Sequence, residues 1–338
     1  MVVKYIHIGD IMLNIKNFIK NNYKFIILII SLLLIFLTPM PYYIEAPGGI
    51  TSLDNKVTIE NKKIDGSYNL SYVAEYKGSI PMLIYAYFNK DFDIYKKEEI
   101  LLEEETNSEY LKRDKLYLEQ SISNAVIAAY KQAEKTVNIN SSYLYVGYIL
   151  ENSDTNLEIG DCIIKINGLK ITSKEEVNKL LNGANKGDKL DIVVLNNGKE
   201  YKKEARVITE DGKNLIGIVP IEVIDYDVLP EVEIIMAENE SGGSGGLMLS
   251  LAIYDLLSDN NLAKGRKIAG TGTIEADGSV GKIGGIEYKI KGAVKDSADI
   301  FFVPDENYEE AVKVKKENNY KLKLVKVSTL KEAINYLE

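Results

Sequence analysis

The chain has 338 residues, 46% of them hydrophobic and 27% charged, with a formal net charge of −9. That length allows roughly two or three domains of ordinary globular composition, and the acidic balance, without a basic stripe outside the N-terminus, excludes a nucleic-acid surface. The only histidine is His7 and the only cysteine is Cys162, so the body of the protein has no Ser-His-Asp triad, no Cys-His pair, no histidine-rich zinc site and no internal disulfide. A serine nucleophile here would need a lysine, a carboxylate or the N-terminal amine as its base. Cys162, in the strand-like run Asp161–Ile166, reads as a small core residue.

Phe25 to Ile44 is an uncharged run of 20 residues. At ~1.5 Å per residue, a helix of that length is about 30 Å long and matches a bilayer core. Lys4, Lys16, Lys20 and Lys24 precede it, Glu45 follows it, and the next basic residue is Lys56. The positive-inside rule predicts a cytoplasmic segment 1–24, a single span through the lipid bilayer at 25–44, and an extracytoplasmic remainder. The rival reading is a cleaved signal peptide. A small-residue cleavage site is absent where one would be needed, and the segment leaves through Thr38-Pro39-Met40-Pro41-Tyr42-Tyr43 with interfacial tyrosines. An uncleaved anchor in the cell membrane is therefore expected, its helix ended by Pro39 and Pro41.

Residues 45–135 read as a strand-rich juxtamembrane region. Tyr68–Ala74 alternates in part, as a half-buried strand does. The charge-dense run Lys96–Glu105 reads as a solvated helix face. Glu119–Lys135 reads as a helix, with Ile122, Ala125, Val126, Ala129 and Ala133 at helical spacing. No chemistry attaches to residues 45–118.

Residues 136–210 form the next expected domain. Tyr143–Leu150 is a predicted strand. Gly160-Asp161 precedes the apolar strand Cys162–Ile166, Asn167-Gly168 makes a turn, and a short helix follows from Ser173 to Leu181. Strand Leu190–Leu195 then reaches a hairpin turn at Asn196–Lys199. This pattern resembles a bacterial PDZ domain over about 70 residues, with Ser153-Asp154-Thr155 where Ser-Pro-Ala is usual. PDZ domains add an extended peptide to a sheet edge. The resemblance implies a polypeptide partner beside Val146, Gly147, Tyr148 and Ile149; the alternative is a PDZ fold that only spaces its neighbour.

Residues 211–338 read as α/β. Ile216–Pro220 and Val232–Met236 are strand-like. Gly242-Gly243-Ser244-Gly245-Gly246 precedes the apolar, helix-length run Leu247–Tyr254. Such a serine is either part of a flexible linker or a nucleophile at a helix N-terminus, where unpaired N–H groups favour negative charge. Gly265–Ile274 leads to a turn at Asp277-Gly278. Gly284-Gly285 opens a helix to about Ser297, Ile300–Pro304 is a buried strand, and Tyr308–Asn318 is a final amphipathic helix. On the helix after Gly285 the apolar stripe is Ile286, Ile290, Ala293 and Val294. Lys291 and Lys295 point away from it. Lys289 lies at its border, where a lysine either snorkels or is desolvated enough to act as a base.

The run Gly242–Pro304 resembles the proteolytic domain of the Lon family, which uses a Ser-Lys dyad. Its Gly-Pro-Ser-Ala-Gly motif stands as Gly242–Gly246, its Thr-Gly as Thr271-Gly272, and its Ile-Gly-Gly-x-x-x-Lys as Ile283–Lys289. The resemblance implies Ser244 as nucleophile, Lys289 as base and Thr271 as the residue that orients the amine. Gly243 for proline and Gly245 for alanine are departures that loosen the elbow. Two rival motifs fail on context. Ser279-x-x-Lys282 lies in a glycine-rich turn, and the phosphate-loop pattern ending at Gly281-Lys282 has Ala276 and Ile283 at required positions.

Anchor, PDZ and Lon-like parts together are similar to the membrane-anchored, PDZ-containing Lon-like serine proteases of Gram-positive bacteria. The expected fold is thus an α/β (α+β) Lon-type proteolytic domain plus a PDZ domain behind a transmembrane helix. The expected activity is an ATP-independent endopeptidase acting on secreted or membrane polypeptides on the extracytoplasmic side. It would need no cofactor and no metal, and assembly into a homo-oligomer is left open. The alternatives are an inactive membrane-tethered PDZ adaptor and an enzyme that cuts only itself.

Overall fold

A computed structural model of the chain describes residues 8–103, 105–258 and 260–338. The sequence readings that fall on Lys4 and His7 lie outside the described residues. The chain divides into two units. The smaller takes in residues up to Ala46 together with Glu75–Ile100; the larger takes in Pro47–Ala74 and Leu101–Glu338.

The smaller unit opens with the helix Ile8–Leu37. Its stretch Ile15–Phe36 is long and apolar enough to cross a membrane. The helix stops at Leu37 rather than at Ile44, because Pro39 and Pro41 supply no N–H to continue it. Tyr42, Tyr43 and Ile44 instead begin the strand Tyr42–Ser52, and Ile44 is fully buried. The first residues of that strand pair antiparallel with Asp93–Lys96, from Tyr42 opposite Lys96 to Glu45 opposite Asp93. Met40 N–H donates to the Gly78 carbonyl at 2.8 Å, and Gly78 N–H donates to the Tyr42 carbonyl at 2.7 Å. A Cβ on Gly78 would lie 2.8 Å from that carbonyl oxygen, so the close approach requires glycine. The helix Ile80–Tyr87 follows at once, with Pro81 in its first turn.

The larger unit is built on a parallel sheet. Lys323–Val327, Ile300–Pro304, Lys267–Gly270 and Ser67–Lys77 (through Ala74 in this unit) lie in that order, with Ile268 opposite both Ile300 and Tyr68. Ile300–Pro304 is buried along its whole length, as a central parallel strand covered on both faces should be. The helix Gly246–Leu257 has all of its residues buried and is apolar on nearly every side, the pattern of a core helix. It packs against the long helix Asn107–Gln132. That helix starts twelve residues before the expected Glu119. Thr106 caps it by accepting from the N–H of Glu109, whose side chain bonds back to the N–H of Thr106.

Residues 45–135 are therefore not a separate layer. Leu53, Ile59, Tyr68, Ala125 and Ala129 share one core with Leu247–Leu257, Phe302 and Leu330–Leu337. The expected solvated helix face at 96–105 reduces to the single turn Lys97–Ile100. Glu105 is buried and bound by both prongs of Arg113, at 2.7 and 2.9 Å.

Residues 136–229 form a second sheet. Its strands run Ile218–Leu229, Thr136–Ile149, Cys162–Ile166, Lys189–Asn196 and Lys199–Arg206 across the sheet. It has its own core, including Val146, Ile163, Ile166, Val177, Ile192 and Ile216. Asn197 and Gly198 both take positive φ, +49° and +73°, as the two-residue hairpin turn requires. Cys162 is buried outside that cluster, in register with Tyr145 and Leu195, and burial pushes its thiol up to about 11. It pairs with nothing covalently.

Asp255 ties the core helix to the sheet. Its carboxylate accepts from the Tyr68 hydroxyl at 3.0 Å and from the N–H groups of Leu262 and Ala263 at 2.8 and 3.2 Å. Burial, reinforced by that carboxylate, holds the Tyr68 phenol neutral. Replacing Asp255 by alanine strands three buried donors, and we expect a loss of about 3 kcal/mol in unfolding free energy. Urea denaturation of the solubilised full chain checks it; an unchanged midpoint would remove Asp255 from this role.

Candidate active site

Ser244 stands at the entry of the core helix. Gly242 takes φ +82°, a left-handed conformation open to glycine, and its N–H donates to the Asp114 carbonyl at 2.9 Å. Gly245 is the residue before the helix proper. At Gly246 a Cβ would lie 2.6 Å from Ile274 and 2.7 Å from the Ser121 hydroxyl, so only glycine lets the helix start here.

Lys289 comes from the helix Ile286–Lys295, which Gly285 opens in a left-handed conformation at φ +66°. Ile286, Ile290 and Ala293 are buried as the stripe predicts. Lys291 is not solvated as expected, since its amine pairs with Glu287 at 2.7 Å. Lys289 is itself inside, with 4% of its surface exposed. Its Nζ lies 2.7 Å from Ser244 Oγ and 3.0 Å from Thr271 Oγ1.

Thr271 is fully buried and fixed by its N–H to the Phe302 carbonyl at 3.1 Å. Its hydroxyl donates to the Ser244 carbonyl at 3.1 Å, and Gly272 N–H donates to the same carbonyl at 2.8 Å. The threonine proton is thus committed, which leaves its oxygen to accept from the lysine. A neutral amine that donates one proton to Thr271 can aim its lone pair at the Ser244 hydroxyl. Burial disfavours the ammonium form of an amine, which is what a base needs here. The three residues singled out from sequence thus meet at one point.

A cavity of about 350 Å³ opens beside Ser244. Gly243, Thr273, Ile274, Lys282 and Gly284 line it together with Tyr117, Gln120, Ser121 and Asn124 of the long helix. Burial, with a smaller contribution from Asp277, raises the Glu275 carboxyl at its rim above the usual range. Asn307 fixes the lysine side of the cleft. Buried itself, it accepts from Ile283 N–H at 2.9 Å and donates to the Ile283 carbonyl at 3.0 Å.

Ser121 does the same on the other side, donating to the Gly243 carbonyl at 3.0 Å. That carbonyl and the Ser244 N–H belong to one planar peptide, so fixing the oxygen fixes the direction of the N–H. Neither Asn307 nor Ser121 stood out in the sequence. Asn307 precedes a helix in a run, Asp305-Glu306-Asn307, that reads as an ordinary turn, and Ser121 sits inside a helical stripe.

The predicted peptide site does not hold. Val146, Gly147, Tyr148 and Ile149 lie in an interior strand, paired on one side with Ile218–Pro220 and held on the other by the 2.8 Å bond of Val146 N–H to Asp161. The edge strands of that sheet are Ile218–Leu229, beside Thr136–Ile149, and Lys199–Arg206 at the other end. Part of the first edge is already held by the long helix, where Gln120 donates to the Glu222 carbonyl and Ser123 accepts from Ile224 N–H.

Residues 235–337 match the family of the Lon protease (S16) C-terminal proteolytic domain. The match is to a serine peptidase domain. It contains Ser244, Thr271 and Lys289, but not Ser121 or Leu70. The Lon protease of Campylobacter jejuni is 26% identical over 185 residues, which cover 53% of this chain and 22% of that relative's length. Among solved structures, the PDZ domain of an SdrC-like protein from Listeria monocytogenes is 22% identical, covering 25% of this chain and 93% of its own, with a TM-score of 0.22. A solution structure from Geobacillus thermodenitrificans is also 22% identical, covering 22% of this chain and 92% of its own, with a TM-score of 0.21.

The geometry separates the two glycine departures. A Cβ on Gly245 would lie 2.9 Å from Leu70 Cδ2, whereas one on Gly243 comes no nearer than 3.4 Å, to the Tyr117 carbonyl. With a fluorogenic unfolded protein as substrate, Ser121→Ala should lower kcat about tenfold with KM unchanged. Gly243→Ala should stay near the parent rate and Gly245→Ala fall below it. Equal losses in kcat and stability, with KM raised, would reduce Ser121 to a packing residue.

Proposed function

We propose that this chain is a membrane-anchored, ATP-independent serine endopeptidase with a Ser244–Lys289 dyad. The observation that carries the reading is the buried Lys289 amine 2.7 Å from the Ser244 hydroxyl. Lys289 takes the Ser244 proton as Oγ attacks a peptide carbonyl, and returns it to the leaving amine as the acyl-enzyme forms. Backbone N–H groups at the glycine turn, beside the N-terminus of the core helix, stabilise the oxyanion. Water then attacks the acyl-enzyme with Lys289 again as base. Thr271 positions the amine through both steps.

The span Ile15–Phe36 supports anchoring, and Lys16, Lys20 and Lys24 in its first half, with no basic residue in its second, support a cytoplasmic N-terminus with the active site on the extracytoplasmic side. The substrates are secreted or membrane polypeptides that reach the cleft as extended segments. ATP independence rests on the absence of a phosphate-loop motif in these residues. The second sheet has the strand and short-helix order of a PDZ domain. Peptide addition falls on its free edge at Ile218-Val219, ahead of Pro220, which offers no N–H to a partner.

Ser244→Ala and, separately, Lys289→Ala are each expected to lower cleavage by at least about 10³-fold without loss of fold. A fluorophosphonate probe should label the parent on Ser244 and neither variant. Full cleavage by either variant overturns the dyad.

A further inference from the structure

The smaller unit carries an apolar surface that the catalytic reading does not use. Gly78 to Asn89 contains no charged residue and is bracketed by Lys77 and Lys90. Most of it is the helix Ile80–Tyr87, in which only Ala86 is buried. Ile84 and Tyr85 are 56% and 55% exposed, and Tyr87 and Phe88 are 79% and 82% exposed. Pro81, Ile84, Tyr85 and Phe88 line an open groove of about 560 Å³ that ends at Asn89–Asp91. An apolar helix that exposes consecutive large side chains is not a water-facing element, and a contiguous patch of this kind marks an interaction surface.

The backbone states where the patch lies. The long apolar helix ends at Leu37, and three residues later Met40 is hydrogen-bonded to Gly78, two residues before Ile80. The start of the exposed helix is therefore pinned to the exit of the candidate span, at the height of Tyr42 and Tyr43. Aromatic side chains with lysines beside them are the composition of a membrane–water interface. A second copy of the chain could also cover apolar surface, but nothing about a partner protomer would require the patch to sit at the end of the span.

We infer that Ile80–Phe88 is an interfacial helix seated in the outer leaflet of the bilayer that Ile15–Phe36 crosses, with Ile84, Tyr87 and Phe88 among the lipid. The inference rests on the membrane-anchor reading. It makes the juxtamembrane unit a second attachment to the same surface, so that the chain leaves the bilayer at a fixed point rather than on a free tether.

The chain contains no tryptophan, so single substitutions report without background. Full-length Phe88→Trp, Leu33→Trp and Tyr201→Trp are reconstituted separately in phosphatidylcholine/phosphatidylglycerol vesicles. Lipids brominated near the carbonyl or near the chain end, and aqueous iodide, serve as quenchers. The expected result is strong quenching of position 88 by the shallow bromolipid and weak quenching by iodide. Position 33 should follow the deep bromolipid, and position 201 iodide alone. Position 88 behaving like position 201 overturns the inference while the anchor stands. Position 88 shielded from both bromolipids and iodide assigns the patch to protein contact and also overturns it. Position 33 unquenched by either bromolipid removes the anchor, and the inference with it.

Discussion

A lysine can serve as a base only where its amine is kept from water, and the structure around Ser244 is arranged by that constraint. Lys289 lies on the inner face of a ten-residue helix whose first residue follows a left-handed glycine. Gly285 takes a positive φ, and a Cβ there would meet Val73 at 2.8 Å, so only glycine lets the helix open this close to the strand Ser67–Lys77. Thr271 accepts from the amine and spends its own proton on the nucleophile's carbonyl. The amine lies within hydrogen-bond reach of both the Thr271 and the Ser244 hydroxyl, at 3.0 and 2.7 Å.

The same constraint explains why the proteolytic part cannot be a simple C-terminal block. Its parallel sheet needs Ser67–Lys77 beside Lys267–Gly270. The cavity wall needs the long helix Asn107–Gln132. The second sheet then enters the chain between that helix and the nucleophile turn, and its edge strand Ile218–Leu229 leads straight back to them. Gln120 lies at the junction, lining the cavity and donating to the edge strand at Glu222.

What could be read from the sequence was local. Ile300–Pro304 declares itself as an unbroken apolar strand, and Gly284-Gly285 followed by the stripe Ile286, Ile290 and Ala293 places Lys289 at a buried border. Thr271 and Ser244 belong to short motifs whose spacing survives without a structure. Longer-range pairings left no such trace. Ser121 meets Gly243 across 122 residues and Asn124 meets Ile274 across 150, and nothing in either helix position distinguishes them from core-lining polar residues. The PDZ resemblance puts a peptide beside Val146–Ile149, but a local motif carries no record of which strand returns from further along the chain, and here Ile218–Pro220 pairs with those residues. The early start of the long helix was open to reading through Thr106-x-x-Glu109, a capping box, but its first turns are too charged to show an apolar stripe.

The glycines around Ser244 look, in sequence, like a loss of rigidity. In the fold the rigidity comes from outside the turn. The Gly243 carbonyl is held by Ser121, the Ser244 carbonyl by Thr271 and Gly272, and the Gly242 N–H by Asp114. Gly245 has a packing reason, since Leu70 occupies the space an alanine methyl would take. Leu70 belongs to the strand Ser67–Lys77, outside the residues of the Lon match. The small residue at 245 and the large one at 70 therefore form a volume-conserving pair. The loose-looking elbow is the local half of a packing arrangement whose other half lies in the upstream sheet.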